Sequence, residues 1–286
     1  MSNLFPNAAA IHDLSGVGKC SLTVVLPILS ACGVETSVLP TAVLSTHTGG
    51  FEDYVYIDLT DKMKAMADHW KAVGCHFDAI YTGFLGSADQ IEIVNHFFTL
   101  FQEKNTKIII DPVMGDNGKL YPTYTERMAD GIARLCHQCD VIVPNMTEAS
   151  RILGIPYQEG PYTKEYVQNI LSSLCEIGPK QAVLTGIHWD DKQLGAACFD
   201  RDLGKTEFYL YDRIPGYFHG TGDTFASVLT GALLNNLDLF DACQLATEFT
   251  WKTIVSTAKY QKDIRFGPKF EIHLPWLCQT LADKRS

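Results

Sequence analysis

The chain has 286 residues, 46% of them hydrophobic, with a formal net charge of −10 and a pI near 5.3. That is enough apolar chain for a substantial core, and the acidic balance argues against nucleic acid or an anionic membrane as a main partner. No apolar run reaches the roughly 18 residues of a membrane span, the first ten residues lack the parts of a secretory signal, and 9 unpatterned cysteines read as reduced thiols, so a cytoplasmic protein is expected.

Apolar runs of strand length fall at 8–11, 34–40, 79–83, 107–112, 140–144, 181–186, 194–199 and 206–212. Helical periodicity fills 19–32, 61–74, 88–104, 125–137, 147–153, 164–177, 222–235 and 239–258. This alternation, with unbroken runs such as Lys107-Ile108-Ile109-Ile110, predicts an α/β fold. A mostly parallel central sheet is flanked by helices on both faces, with ligands at the carboxyl ends of its strands. No repeat, low-complexity tract or linker interrupts the pattern. Residues 1–286 therefore read as a single domain with no separate large lid domain.

The first strand runs into Asp13-Leu14-Ser15-Gly16-Val17-Gly18-Lys19-Cys20-Ser21. It has the outline of a P-loop, but Asp13 stands where glycine is required and Cys20 where a hydroxyl must meet magnesium. A turn from strand to helix remains, with Asp13 and Ser15 either lining a pocket or capping the helix. Next, Ser45-Thr46-His47-Thr48-Gly49-Gly50-Phe51 is dense in short polar side chains. It is an ordinary polar loop or a specificity loop, since hydroxyls and an imidazole can satisfy a polar heteroaromatic ring. Phe84, after the third strand, either stacks on a flat substrate or belongs to the core.

Asp111 emerges from a buried strand, where a carboxylate needs a partner such as a cation. Residues 115–122 form a loop suited to a mobile cover, with glycines at 115 and 118. Asn145-Met146-Thr147-Glu148 has the spacing of a capping box, and a carboxylate there could equally organise magnesium through water. Cys136 and Cys139 stand alone and read as ordinary thiols rather than a zinc half-site. Thr185 ends a later strand, in reach of a phosphate.

The most informative stretch is Gly220-Thr221-Gly222-Asp223-Thr224. Apolar residues at 225, 228, 229, 232 and 233 follow at helical spacing, so a helix starts near Gly222. Its first amides have no intrahelical partner and sit at the positive end of the helix dipole, which suits an anion. Asp223 beside a permanent anion is a paradox. It makes sense as a base that takes a proton while the amides hold charge developing on a phosphoryl group. The plain alternative is that it complements the helix dipole.

Taken together, Thr41 to Gly49, Thr82 to Ser87, Asp111 to Asp116, Pro144 to Glu148 and Phe218 to Asp223 resemble the pyridoxal kinase group of the ribokinase-like vitamin kinases, in order and spacing. The resemblance implies ATP-dependent phosphorylation of the 5′-hydroxymethyl group of a B6 vitamer, with Asp223 as base and Gly220, Thr221 and Gly222 as anion hole. It implies Mg²⁺ near Asp111 and Glu148, and allows a monovalent cation such as K⁺. Asn145, Thr185 and Phe218 would face the nucleotide, and Ser15, Thr46, His47, Thr48 and Phe84 the ring. Gly115, Asp116 and Tyr121 would belong to a flap, and the active form would be a homodimer.

Two features depart from that group. Phe84 stands where many members have Tyr, and the Asp13-to-Gly18 turn is closer to hydroxymethylpyrimidine kinases. Pyridoxal, pyridoxine and pyridoxamine are the expected substrates, with hydroxymethylpyrimidine slower. A hydroxymethylpyrimidine kinase is the alternative, a sugar kinase ranks third, and a non-catalytic vitamin-binding module is the rival from a different class.

Overall fold

The computed structural model describes residues 5–285, so the signal-sequence reading falls partly outside the described residues. In chain order the first elements are β1 (Asn7–Val17), α1 (Leu22–Ala31), β2 (Glu35–Thr46), β3 (Tyr56–Asp58) and α2 (Thr60–Ala72). There follow β4 (Ala79–Thr82), α3 (Ala88–Phe101), β5 (Lys107–Ile110), β6 (Gly115–Asp116), β7 (Lys119–Leu120) and α4 (Glu126–Cys136). Next come β8 (Val141–Ile142), α5 (Met146–Leu153), α6 (Lys164–Glu176), β9 (Gln181–Ile187), β10 (Gln193–Asp200) and β11 (Lys205–Asp212). The last are α7 (Thr221–Leu234), α8 (Leu239–Tyr260) and α9 (Leu274–Arg285).

The main sheet has 9 strands in the order β11-β10-β9-β8-β5-β4-β1-β2-β3. From β2 to β9 every neighbouring pair is parallel, while β3, β10 and β11 add antiparallel edges. Both faces are covered, so the central strands are apolar on both sides. Ile108 and Ile110 of β5 pack with α2 to α6, whereas Ile109 packs with α1, α7, α8 and α9. Ile142 and Val141 of β8 divide the same way.

The helices start where their capping residues stand. Ser87, Thr125, Thr163 and Asp238 each accept a backbone N–H three residues on, worth about 1 kcal/mol apiece. The helix α7 is buried on nearly every side from Thr224 to Leu233, because it lies between the sheet and α8.

The structure differs from the sequence expectation at the site end of β1 and β2. Both strands continue past the helical layer and pair as far as Val17 with Thr46. The predicted turn at 13–17 is therefore strand, and α1 starts at Leu22 rather than 19. Residues 115–122 are a hairpin and not a loop: β6 and β7 pair across Asn117 and Gly118, with φ of 50° and 75°. Among the described residues no helix is long and apolar enough to cross a membrane.

Candidate active site

A cavity of about 890 Å³ opens where the parallel strands end. The end of β1 brings Asp13 and Ser15 to it, the segments after β4 and β5 bring Phe84 and Asp111, and the start of α7 brings Asp223.

At the start of α7, Gly220 takes a left-handed conformation with φ 77° and supplies no side-chain cap. A β-carbon there would run into the Lys19 carbonyl oxygen, so packing requires glycine. At Gly222 a β-carbon would meet nothing within 4 Å, so the helix start is open to a ligand. The Thr221 hydroxyl donates to the Phe218 carbonyl at 3.0 Å and the Thr224 hydroxyl to the Gly220 carbonyl at 2.7 Å, which hold the turn. Asp223 is half-buried. Burial pushes its carboxyl up to about 6 against the pull of the Ser21 backbone N–H, and the charge of Asp13 adds to the rise.

Two further carboxylates, Asp111 and Glu148, line the same cavity as this turn. Asp111 is buried, and burial together with the charges of Glu148 and Asp223 holds its carboxyl well above the usual range. No donor among the described residues meets its carboxylate, so it faces the cavity uncompensated. Glu148 is pushed up to about 7 by burial, although it accepts the backbone N–H groups of Asn145 at 2.9 Å and Met114 at 3.1 Å. Such a group is costly without a cation. No set of three or more His, Cys, Asp or Glu among the described residues forms a closed metal cage. Two carboxylates beside an open, amide-lined turn nevertheless fit Mg²⁺, which keeps water and is held largely by phosphates.

The capping box predicted at Asn145 and Glu148 is present. The Asn145 side-chain oxygen accepts the Glu148 N–H at 3.0 Å and its nitrogen donates one N–H to the Gly115 carbonyl at 2.8 Å, while the residue still lines the cavity. The hairpin is thereby tied to α5, and Gly118 adds a bond to the Thr147 hydroxyl at 2.9 Å. Tyr217, which also lines the cavity, donates its hydroxyl to Asp116 at 2.8 Å. Asp116 and Tyr121 line the cavity, while Gly115 does not.

On the opposite wall, the Ser15 hydroxyl donates to Asp13 at 3.0 Å, and burial raises the Asp13 carboxyl. Neither caps α1, so of the two sequence alternatives the pair takes the pocket-lining one. The β2 extension brings His47 and Thr48 to the cavity, but Thr46 does not line it. Thr46 is the last residue of β2, and its hydroxyl is buried and unpartnered. The His47 ring is not free to read a ligand by hydrogen bonding: Nδ1 accepts the Gly49 N–H at 3.1 Å, and Nε2 donates to the Arg265 carbonyl at 2.6 Å. Phe84 meets Tyr124 edge-on at 5.8 Å and presents no polar atom.

Thr185 and Phe218 also line the cavity, as do Gly220, Thr221 and Gly222. Sequence reasoning missed Ser21, Tyr54, Tyr217, His219 and Trp251, which line it too. Cys136 and Cys139 are buried free thiols in the core, as expected.

Residues 26–268 match the family model described as phosphomethylpyrimidine kinase. The chain is similar to a Bacteroides thetaiotaomicron protein described as a candidate phosphomethylpyrimidine kinase, with 39% identity, a TM-score of 0.93 and coverage of 97% and 95% of the two chains. Another crystal form of that protein, at 38% identity and a TM-score of 0.89 over 97% and 96% of the chains, is described as holding pyridoxal. Pyridoxal kinase from Lactobacillus plantarum is 31% identical, with a TM-score of 0.88 over 97% and 98% of the chains. A hydroxymethylpyrimidine/phosphomethylpyrimidine kinase of Staphylococcus aureus is 29% identical over 192 residues, and the match spans 63% of each protein. The sheet order and helical layers are the ribokinase-like arrangement of these neighbours, and the chain belongs to the phosphomethylpyrimidine kinase family.

Proposed function

We propose that the chain transfers the γ-phosphoryl group of ATP to the hydroxymethyl group of a small, flat nitrogen heterocycle. The observation that carries this reading is Asp223, its carboxyl raised to about 6, at the uncapped first turn of α7. A base poised near neutrality beside free backbone donors is what in-line transfer from a hydroxyl requires. Asp223 takes the hydroxyl proton, while the Gly220-Thr221-Gly222 turn receives the charge of the transferring group. Asp111 and Glu148 would hold Mg²⁺, which when bound neutralises phosphate charge. Asn145, Thr185 and Phe218 flank the nucleotide, and Ser15, Thr48 and Phe84 flank the ring. A monovalent cation such as K⁺ and a homodimer belong to the same reading. A non-catalytic binder would have no use for a base beside an anion-binding turn.

For the heterocycle, hydroxymethylpyrimidine or its phosphate takes first place. The family model and the Staphylococcus aureus relatives support it, which reverses the order expected from the sequence resemblance. One observation favours a B6 vitamer as the second reading: the 38% identical neighbour was solved with pyridoxal. Steady-state kcat/KM for hydroxymethylpyrimidine, its phosphate, pyridoxal, pyridoxine and pyridoxamine decides between them. A pyrimidine should give the highest value. A higher value for a vitamer moves the assignment to the second reading, and no ATP-dependent phosphorylation of any of them ends the proposal.

A further inference from the structure

We propose that the segment Asp263 to Pro268 is a strap that positions the heterocycle end of the site, with Arg265 and Gly267 as its positioning residues. The inference rests on the reading that the 47–51 loop and Asp223 serve the heterocycle and its hydroxyl. Neither Arg265 nor Gly267 lines the cavity, so both act through other residues.

One end of the strap grips the 47–51 loop. Because His47 Nδ1 accepts the Gly49 N–H, the ring proton sits on Nε2 and is donated to the Arg265 carbonyl at 2.6 Å. Arg265 Nη1 donates back to the Gly50 carbonyl at 3.2 Å, and its guanidinium lies over the Phe51 ring at 5.3 Å. Phe266 meets the same ring edge-on at 5.5 Å. The grip is set in advance. Asp263 holds the guanidinium through Nε at 3.0 Å and Nη2 at 2.7 Å, and Gln261 bonds the carbonyls of Asp263 and Gly267, each at 2.9 Å.

The other end grips the turn that supports the base. Gly267 has φ 80° and is buried, and a β-carbon there would lie 2.6 Å from the Lys19 nitrogen and 2.8 Å from its carbonyl oxygen. Gly220 packs against the same Lys19 carbonyl oxygen and close to Pro268, so the Lys19 backbone touches both the strap and the start of α7. Two residues on, the Ser21 backbone N–H bonds the Asp223 carboxylate. The strap thus couples ring placement to base placement.

Three variants of the full chain test this. Arg265 is exposed, so Arg265→Ala should fold, raise KM for the heterocycle about tenfold and leave KM for ATP within about twofold, as expected for losing one or two modest contacts. Arg265→Lys, which restores a cation over Phe51, should recover part of that loss. Gly267→Ala should instead lower kcat about tenfold through the Lys19 turn. Amide hydrogen exchange without substrate should quicken at 47–51 in Arg265→Ala. Equal rises in both KM values, or unchanged exchange at 47–51, overturn the inference. If the parent phosphorylates no heterocycle, the proposed function falls, and the exchange measurement still decides the strap.

Discussion

Glu148 and Asn145 cap one another: the Asn145 side-chain oxygen accepts the Glu148 N–H at 3.0 Å, and Glu148 Oε2 accepts the Asn145 N–H at 2.9 Å. The remaining oxygen, Oε1, takes the Met114 N–H at 3.1 Å, so one carboxylate ties α5 to the segment entering the hairpin. Glu148→Gln keeps one acceptor and turns an amide donor toward the other N–H. Thermal stability should fall by about 1–3 kcal/mol. The magnesium titration of ATP turnover should move to higher concentration, with KM for the heterocycle unchanged. Normal magnesium dependence in the folded variant would leave Glu148 with the capping role alone.

Asp223 also leaves a stability signature. Its folded carboxyl is raised from the ordinary 3.8 to about 6, so folding favours the protonated form. That stabilisation is whole below about pH 3.8 and is lost as pH rises through about 6. Asp223→Asn removes the titration and retains an acceptor for Ser21. Its stability relative to the parent should therefore grow between about pH 4.5 and 7 and level off above, by about 1–2 kcal/mol for a half-buried group. Denaturant melts at four pH values measure it, and a pH-independent difference would contradict the raised carboxyl.

How much of this was legible depends on the distance over which each feature is specified. The start of α7 could be read because glycine, aspartate and an apolar helical repeat lie within about a dozen residues. The buried β5 was equally plain from Ile108-Ile109-Ile110. Strands of two or three residues, such as β3, β6 and β7, are too short to show a period of their own, although Asn117-Gly118 is a hairpin signal. Thr46 and His47 are neighbours with opposite fates because β2 ends between them, and no local pattern marks that end. The engagement of His47 depends on a carbonyl 218 residues away, and no local pattern announces it. The helix α9 escaped notice because Leu277 and Leu281 are its only fully buried apolar residues among those described.

Phe84 offers a test of ring recognition. It reaches the cavity with an apolar edge, and apolar contact rejects little, roughly 1–3 kcal/mol for one small group. Phe84→Tyr adds a hydroxyl at that wall. The ratio of kcat/KM between hydroxymethylpyrimidine and pyridoxal should change by about threefold or more, with KM for ATP within about twofold. An unchanged ratio would remove Phe84 from the ring-facing set.

The most direct test of the account is single-turnover phosphoryl transfer by Asp223→Asn against the parent, from about pH 5 to 8. In the parent the rate should rise with pH through about 6, because the base works only when ionised. In the variant this limb should vanish and the rate should fall about 10²–10⁴-fold, with ATP affinity within about threefold of the parent. A variant that turns over within about threefold of the parent at about pH 7.5 would contradict the role of Asp223 as the base.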